Sequence, residues 1–233
     1  MDAVVACEGG MQQKVVAIDG PAGAGKTTVA RALAARLGYT YLPSGTFYRA
    51  LAWRAAQAGT PLNDEAALAS LADETDISVR VCGDGQLMAS VDGRDVTEAL
   101  GSSAVGDAAS RISVFPEVRR RVVELQRRFA EEQPIVAEGR DMASVVFPNA
   151  ERKFYLDATL EERARRRALD LRARGEDPDV VRLAAELAER DRRDSSRATA
   201  PLRHVEGAIR VDTTHLSVEE VVERLLREMR DRS

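Results

Sequence analysis

Short apolar runs alternate with amphipathic segments along the first third of this 233-residue chain. Residues 15–18 (VVAI) form a continuous β-branched run, which is typical of a strand buried on both faces. Residues 27–37 repeat apolar positions with a helical period, and residues 39–42 and 46–58 predict a second strand and a second helix, which Gly59 ends. This alternation predicts a parallel sheet covered by helices on both faces.

The pattern changes after residue 60. Asn63 is positioned to cap a short helix through residue 71, and residues 77–82 and 87–91 alternate like two strands joined across Gly83-Asp84-Gly85. Strands joined by a tight turn are antiparallel, so they do not belong to the parallel sheet. We therefore expect residues 60–100 to form an inserted subdomain between two parts of one core, residues 15–59 and 101–233. Residues 1–14 are expected to be a disordered extension.

The second half of the chain returns to alternating helices and strands. Helices are predicted over residues 102–112, 117–132, 159–174, 180–193 and from Ser217 onward, with strands at 135–137, 154–156 and 208–211. The sequences TLEE at 159–162 and SVEE at 217–220 match the capping box. The predicted fold class is α/β, a three-layer α/β/α sandwich with a small antiparallel insert.

Composition and charge narrow the function classes. Hydrophobic residues make up 44% of the chain and charged residues 31%, which is typical of a soluble globular protein. The net charge of −4 argues against a general binder of nucleic acid or of membrane surfaces. Cys7 and Cys82 are too few for a disulfide scaffold or a metal cluster, and no apolar run is long enough to span a membrane. We expect a cytoplasmic, monomeric enzyme.

Residues 20–27 (GPAGAGKT) match the phosphate-binding loop G-x-x-x-x-G-K-[ST], between a predicted strand and a predicted helix. Glycines let successive backbone N–H groups face phosphate oxygens at the helix N-terminus, and Lys26 adds a cation. The Thr27 hydroxyl is placed to bind Mg²⁺. The competing interpretation is a glycine-rich turn. The strand and helix on either side favour a P-loop NTPase-type sheet.

Two polar clusters follow predicted strands, where doubly wound sheets bind ligands. In the first, Arg49 is suited to an acceptor phosphate, and Ser44 and Tyr48 offer hydroxyl donors. In the second, Arg140 can bind a phosphate and Asp141 a base edge. The alternatives are an ordinary helix start with a solvated arginine, and a surface ion pair.

A third cluster lies on a predicted helix. Arg163, Arg166 and Arg167 stand at i, i+3 and i+4 and share one face, which predicts a mobile arginine-bearing lid over a triphosphate, at about residues 157–178. The alternative is a solvated face in an arginine-rich chain. Downstream, Arg190, Asp194 and Arg197 add polar groups, and Asp194 can accept from ribose hydroxyls or an amine.

Taken together, these segments resemble the bacterial cytidylate kinases. The resemblance covers about residues 15–228, and its motifs stand in family order. They are IDGPAGAGKT (18–27), SG-x-x-YR (44–49), EGRDM-x-SVVFP (138–148), ER-x-RRR (162–167) and D-x-x-RA-x-APL (194–202). The resemblance implies transfer of the ATP γ-phosphoryl group to CMP or dCMP with Mg²⁺ as cofactor.

The resemblance also implies roles for individual residues. ATP would be held by Gly20, Pro21, Ala22, Gly23, Ala24, Gly25, Lys26, Thr27 and Thr28, with the metal at Thr27. The acceptor nucleotide would be bound by Ser44, Tyr48, Arg49, Ser110, Arg119, Arg140, Asp141, Arg190, Asp194 and Arg197. Of these, Tyr48, Arg49, Arg140 and Arg197 would hold its phosphate, Ser110, Arg119 and Asp141 its cytosine, and Arg190 and Asp194 its ribose. The implied catalytic residues are Lys26, Arg140, Arg163, Arg167 and Arg197, of which Arg163 and Arg167 would close over ATP.

One substitution departs from the family pattern, because Pro43 stands where the family commonly carries Asp. Three other function classes are possible alternatives. An adenylate or uridylate kinase would share the phosphate loop but need another acceptor pocket. A regulatory nucleotide switch would carry D-x-x-G and N-K-x-D, and neither string occurs. A pure interaction module would not need three arginine clusters.

Overall fold

The computed structural model of the chain describes residues 14–82, 87–131, 133–173 and 175–230. The predicted extension, apart from Lys14, and the predicted turn at Gly83-Asp84-Gly85 lie outside these ranges, as do the predicted helix ends at residues 132 and 174.

The chain forms strands and helices close to the predicted bounds. The strands are β1 (Val15–Asp19), β2 (Thr40–Pro43), β3 (Ile77–Val81), β4 (Leu87–Val91), β5 (Arg94–Asp95), β6 (Ile135–Gly139), β7 (Arg152–Asp157) and β8 (Ile209–Asp212). The α-helices are α1 (Lys26–Leu37), α2 (Gly45–Ala58), α3 (Glu65–Glu74), α4 (Ser103–Ile112), α5 (Pro116–Glu131), α6 (Leu160–Arg172), α7 (Val180–Ser196) and α8 (Val218–Arg230). A 3₁₀-helix covers Ala99–Gly101 and a π-helix covers Met142–Val146.

Within the described residues, five strands form a parallel sheet in the order β2-β6-β1-β7-β8. The register places Asp19 opposite Gly139 of β6 and opposite Tyr155 of β7. The carboxyl ends of these strands therefore meet at one edge of the sheet, where the loops of a doubly wound fold bind ligands.

Both faces of the sheet are buried. Val15 and Ala17 of β1 belong to one apolar cluster, whereas Val16 and Ile18 belong to a second cluster with α1 and α8. Alternate side chains of a strand point to opposite faces, so the two clusters are the two helix–sheet interfaces of a three-layer fold. The predicted α/β fold class is confirmed.

Strands β3, β4 and β5 form a separate antiparallel sheet, as predicted for residues 60–100. The helix before them is capped by Asp64 and not by Asn63, because the Asp64 carboxylate accepts the Ala67 N–H at 3.0 Å, and α3 runs to Glu74 instead of residue 71. Leu68 and Ile77 of this segment share an apolar cluster with Leu51 of α2. The division of the chain into a core and an insert stays a proposal.

Three local features differ from the predicted pattern. Strand β6 extends through Gly139 and helix α7 through Ser196, so Glu138 and Asp194 lie inside regular elements. The π-helix was not predicted, and its first N–H groups, of Met142 and Ala143, both donate to the buried Asp19 carboxylate at 2.8 Å.

No helix in the described ranges combines the length and apolar character needed to cross a bilayer.

Candidate active site

The phosphate-binding loop joins β1 to α1 at the carboxyl edge of the sheet. Gly20 has a φ of 152°, and a Cβ atom there would lie 2.0 Å from the Leu156 carbonyl oxygen, so the loop needs glycine to pass beside β7. A cleft opens from this loop along the sheet edge and is lined by residues of α2, α4, α6 and α7. The predicted residues from Gly23 to Thr28 all line the cleft.

Lys26 opens α1 and is 5% exposed. Its ammonium group donates to the Pro21 carbonyl oxygen at 2.7 Å across the loop. Burial, followed by the positive charge of Arg140, lowers the pKa of Lys26 to about 7. The ammonium is therefore a desolvated cation that an anionic phosphate at the loop would stabilise.

A carboxylate lies beside Thr27, because β6 runs next to β1 and brings Glu138 to the sheet edge. One oxygen of Glu138 accepts from the Thr27 hydroxyl at 3.1 Å and from the Tyr41 hydroxyl at 3.2 Å. Among the described residues no group of three or more His, Cys, Asp or Glu could hold a metal ion by itself. One hydroxyl and one carboxylate are nevertheless the donor set with which Mg²⁺ is held when substrate phosphates and water complete its shell.

A second group of charged side chains lies deeper in the cleft. Arg119 of α5 forms a buried ion pair with Asp141, and Arg197, just beyond α7, places Nη2 3.7 Å from the other Asp141 oxygen. The Arg119 guanidinium lies 5.7 Å from the centre of the Tyr48 ring. The fold thus brings together four predicted residues from distant parts of the sequence.

Positive charge exceeds negative charge in this part of the cleft. Arg140 donates to Asp194 at 2.7 Å, and although burial works to raise the pKa of Asp194, Arg140 holds that pKa below its usual value. Burial and the nearby Arg140 lower the pKa of Arg190 to about 10. Buried nitrogens of Arg190 (Nε) and Arg197 (Nη2) have no hydrogen-bond partner among the described residues, nor does the Tyr48 hydroxyl. Buried donors of this kind point to an anionic or polar ligand.

The remaining predicted acceptor residues also line the cleft. The Arg49 guanidinium donates to the Leu100 carbonyl oxygen at 2.6 Å and lies against Gly106, where a Cβ atom would be 3.0 Å from Nη2. Ser44 is buried at the start of α2, and its hydroxyl makes no cap with that helix. The Ser110 hydroxyl accepts from Arg193 at 3.3 Å.

The three arginines of α6 that were predicted to share one face lie in different surroundings. Arg166 and Arg167 line the cleft, and Arg166 also binds Glu162 at 2.8 Å. Arg163 is 7% exposed and donates to the Ala22 and Ala158 carbonyl oxygens, at 3.1 Å each, and to Asp191. Contact of Arg163 and Arg167 with ATP stays a prediction.

The family model described as Cytidylate kinase matches residues 16–231 of the chain. The chain belongs to the cytidylate kinase family. It is 46% identical over 221 residues to a cytidylate kinase of Symbiobacterium thermophilum, covering 95% of this chain and 98% of that protein. It is 48% identical over 219 residues to a cytidylate kinase of Stutzerimonas stutzeri, covering 94% and 96% of the two chains.

A solved structure shows similarity of fold alone. A protein of Eubacterium ventriosum, described as uncharacterized, superposes with a TM-score of 0.50 at 12% identity, covering 93% of this chain and 98% of that one.

Four residues that contact the site of this cytidylate kinase family member received no role from the sequence. A role for Glu138 could have been predicted, because this carboxylate stands at the end of a predicted strand, two residues before Arg140. Asp19, Asp191 and Arg193 gave no usable signal, because their partners lie 123, 169 and 83 positions away. Pro43, the residue at which the sequence was expected to depart from the family pattern, pairs with Glu138 in the register of β2 and β6.

Proposed function

We propose that this protein transfers the γ-phosphoryl group of ATP to CMP or dCMP and forms CDP or dCDP. One observation carries the acceptor assignment beyond family membership. Buried nitrogens of Arg190 and Arg197 that lack a hydrogen-bond partner in the described part of the chain stand beside the buried Arg119–Asp141 pair, in the cleft that also contains the phosphate loop. Such a site fits a second anionic nucleotide with a polar base edge.

On the ATP side, loop N–H groups and Lys26 bind the phosphates, and Arg167 of the proposed lid, which lines the cleft, adds positive charge. Thr27 and Glu138 would hold Mg²⁺. When bound, this cation neutralises charge on the transferring phosphates. Neutralisation matters because the transition state spreads negative charge over the equatorial phosphoryl oxygens.

On the acceptor side, Asp141 accepts from the N4 amine of cytosine, while Arg119 fixes the orientation of the Asp141 carboxylate. Uracil has no N4 amine and would leave a buried carboxylate facing a carbonyl oxygen, so discrimination follows from the unpaired group. Ser110 lines the same cleft as Asp141. Arg190 and Asp194 bind the ribose, and the acceptor phosphate is held by Tyr48, Arg49, Arg140 and Arg197.

The reaction then needs positioning and no covalent enzyme intermediate. An oxygen of the CMP phosphate attacks the γ-phosphorus of ATP, a new P–O bond forms, and the bond from the γ-phosphorus to the β,γ-bridging oxygen breaks to release ADP. Lys26 and the arginines hold both phosphates in line and balance their charge. In the same proposal the enzyme acts as a cytoplasmic monomer, and residues 60–100 form an insert beside the acceptor site.

An assay of ADP release with CMP, dCMP, UMP, AMP and GMP in parallel tests the proposal. We expect CMP or dCMP to give the highest kcat/KM by a wide margin. Faster turnover of AMP or GMP would contradict the acceptor assignment while leaving the phosphate loop in place.

A further inference from the structure

Both peptide groups of Ala22, in the phosphate loop, are held by side chains from outside the loop. The Ala22 N–H donates to Asp191 of α7 at 3.3 Å, and the Ala22 carbonyl oxygen accepts from Arg163 of α6 at 3.1 Å. Arg163 and Asp191 also bind each other directly. A loop residue is thus fixed through its backbone by two charged side chains that neutralise one another.

Apolar packing also holds the phosphate loop against α6 and α7. Ala22, Ala164 and Leu187 form a small buried cluster that joins the loop to α6 and α7. At Gly23 a Cβ atom would lie 3.0 Å from the Cβ of Arg163, so the loop backbone lies directly on α6. Movement of α6 or α7 relative to the core therefore displaces the phosphate loop or breaks these contacts.

Helix α7 also reaches the proposed acceptor site. Arg190 and Asp194 line the cleft, whereas Asp191, which lies between them in sequence, turns to the phosphate loop. Successive residues of an α-helix are about 100° apart around its axis, so one rigid helix presents different faces to the two sites. A ligand that fixes Arg190 and Asp194 also fixes Asp191.

We propose that Asp191 and Arg163 are positioning residues that couple the two nucleotide sites. This inference rests on the proposed function and gives Arg163 a different task from the contact with ATP implied by the family resemblance. The acceptor nucleotide holds α7 in the position in which Asp191 and Arg163 fix the phosphate loop. Each nucleotide then increases the affinity for the other by the same factor, as linkage requires.

The test is a thermodynamic coupling measurement by calorimetry. Affinity for CMP is measured with and without the non-hydrolysable β,γ-methylene analogue of ATP and Mg²⁺. In the wild-type protein we expect the analogue to increase CMP affinity by about fivefold or more, within the usual range of site–site coupling. In Asp191→Ala we expect a factor near one, while CMP affinity measured alone changes by less than about threefold, since Asp191 does not face the acceptor.

Asp191→Asn, which keeps nearly the same side-chain shape, replaces the alanine variant in this test if the alanine variant does not fold. We expect Asp191→Asn to lose most of the coupling, because Arg163 loses its charged partner. Arg192→Ala is the matched control, since Arg192 is exposed on the same helix and pairs only with Glu189 among the described residues. Wild-type coupling in both Asp191 variants, or no coupling in the wild type, would overturn the inference. Failure of CMP to act as a substrate would instead contradict the proposed function.

Discussion

The Arg119 guanidinium and the Asp141 carboxylate form an ion pair in which the side chains are only 3% and 5% exposed. Burying two charges is costly, and removing one partner leaves the other uncompensated. Protein stability alone therefore does not explain why this ion pair is buried. The pair fixes a carboxylate where the base of the acceptor nucleotide is expected.

Asp141→Ala should reduce the CMP:UMP ratio of kcat/KM by at least about tenfold, because the carboxylate that reads the N4 amine is lost. Affinity for ATP should change by less than about twofold. Parallel kinetics with both acceptors and calorimetry with an ATP analogue provide the measurement. An unchanged CMP:UMP ratio would contradict the role of Asp141.

The same substitution should lower the free energy of unfolding by about 3–5 kcal/mol, since Arg119 becomes a buried unpaired charge. Asp73→Ala is a control, because Asp73 pairs with Arg120 at an exposed site and should cost less than about 1 kcal/mol. Urea denaturation of both variants separates the two cases. An equal loss of the free energy of unfolding in the two variants would contradict the argument that burial makes removal of Asp141 costly.

Lys26→Met should lower kcat by about 10²-fold or more, because the desolvated ammonium stabilises phosphate charge inside the cleft. Lys14→Met is the matched control, since Lys14 is exposed and lies before β1. Steady-state kinetics and circular dichroism show whether turnover is lost without loss of fold. Retained turnover in Lys26→Met would contradict the assignment of the phosphate loop as the ATP site.

The pKa of Lys26, lowered by burial to about 7, predicts a pH dependence of ATP binding. Below this pH the ammonium is charged and binds phosphate, and above it the amine is neutral, so affinity should fall as pH rises from 7 to 9. At pH 8 binding should take up a proton, which calorimetry in two buffers of different ionisation enthalpy measures. The Lys26→Met variant should lack both effects, and proton release on binding to the wild type would contradict the prediction.

Glu138→Gln should raise the Mg²⁺ concentration for half-maximal activity by about tenfold or more, because the amide cannot replace the carboxylate beside Thr27. Titration of Mg²⁺ at saturating nucleotides, together with Mg²⁺-dependent binding of an ATP analogue, measures the effect. Glu151→Gln, at an exposed position before β7, should leave the requirement unchanged. The same Mg²⁺ requirement in Glu138→Gln and wild type would rule out this carboxylate.

Gly20→Ala should abolish folding or cost more than about 3 kcal/mol, since its Cβ would lie 2.0 Å from a backbone oxygen of β7. Gly38→Ala is the control, because it introduces backbone strain without a steric clash of the new Cβ atom. Gly38 also has a positive φ, 67°, but nothing lies within 4 Å of its Cβ position, so the cost should be about 1–2 kcal/mol. Thermal denaturation of both proteins makes the comparison, and similar costs would contradict the steric argument.

Local features were predictable from the sequence because their causes lie within a few residues. The strand, glycine loop and helix around Lys26 form one contiguous unit, and a period of two or of 3.6 residues identifies each buried strand and helix face. The cap of α3 was placed one residue early, because Asn63 and Asp64 are both good capping residues and only the backbone of the helix start chooses between them.

The acceptor site depended on contacts that no local pattern contains. The family resemblance gathered Arg119, Asp141 and Arg197 into one pocket, but only the packing of α5, β6 and α7 buries them together. Helical spacing alone predicts that Arg163 shares a face with Arg166 and Arg167. Only the tertiary structure shows that Arg163 is buried between the phosphate loop and Asp191, 28 residues along the chain, where backbone oxygens and a carboxylate meet the donors of its guanidinium.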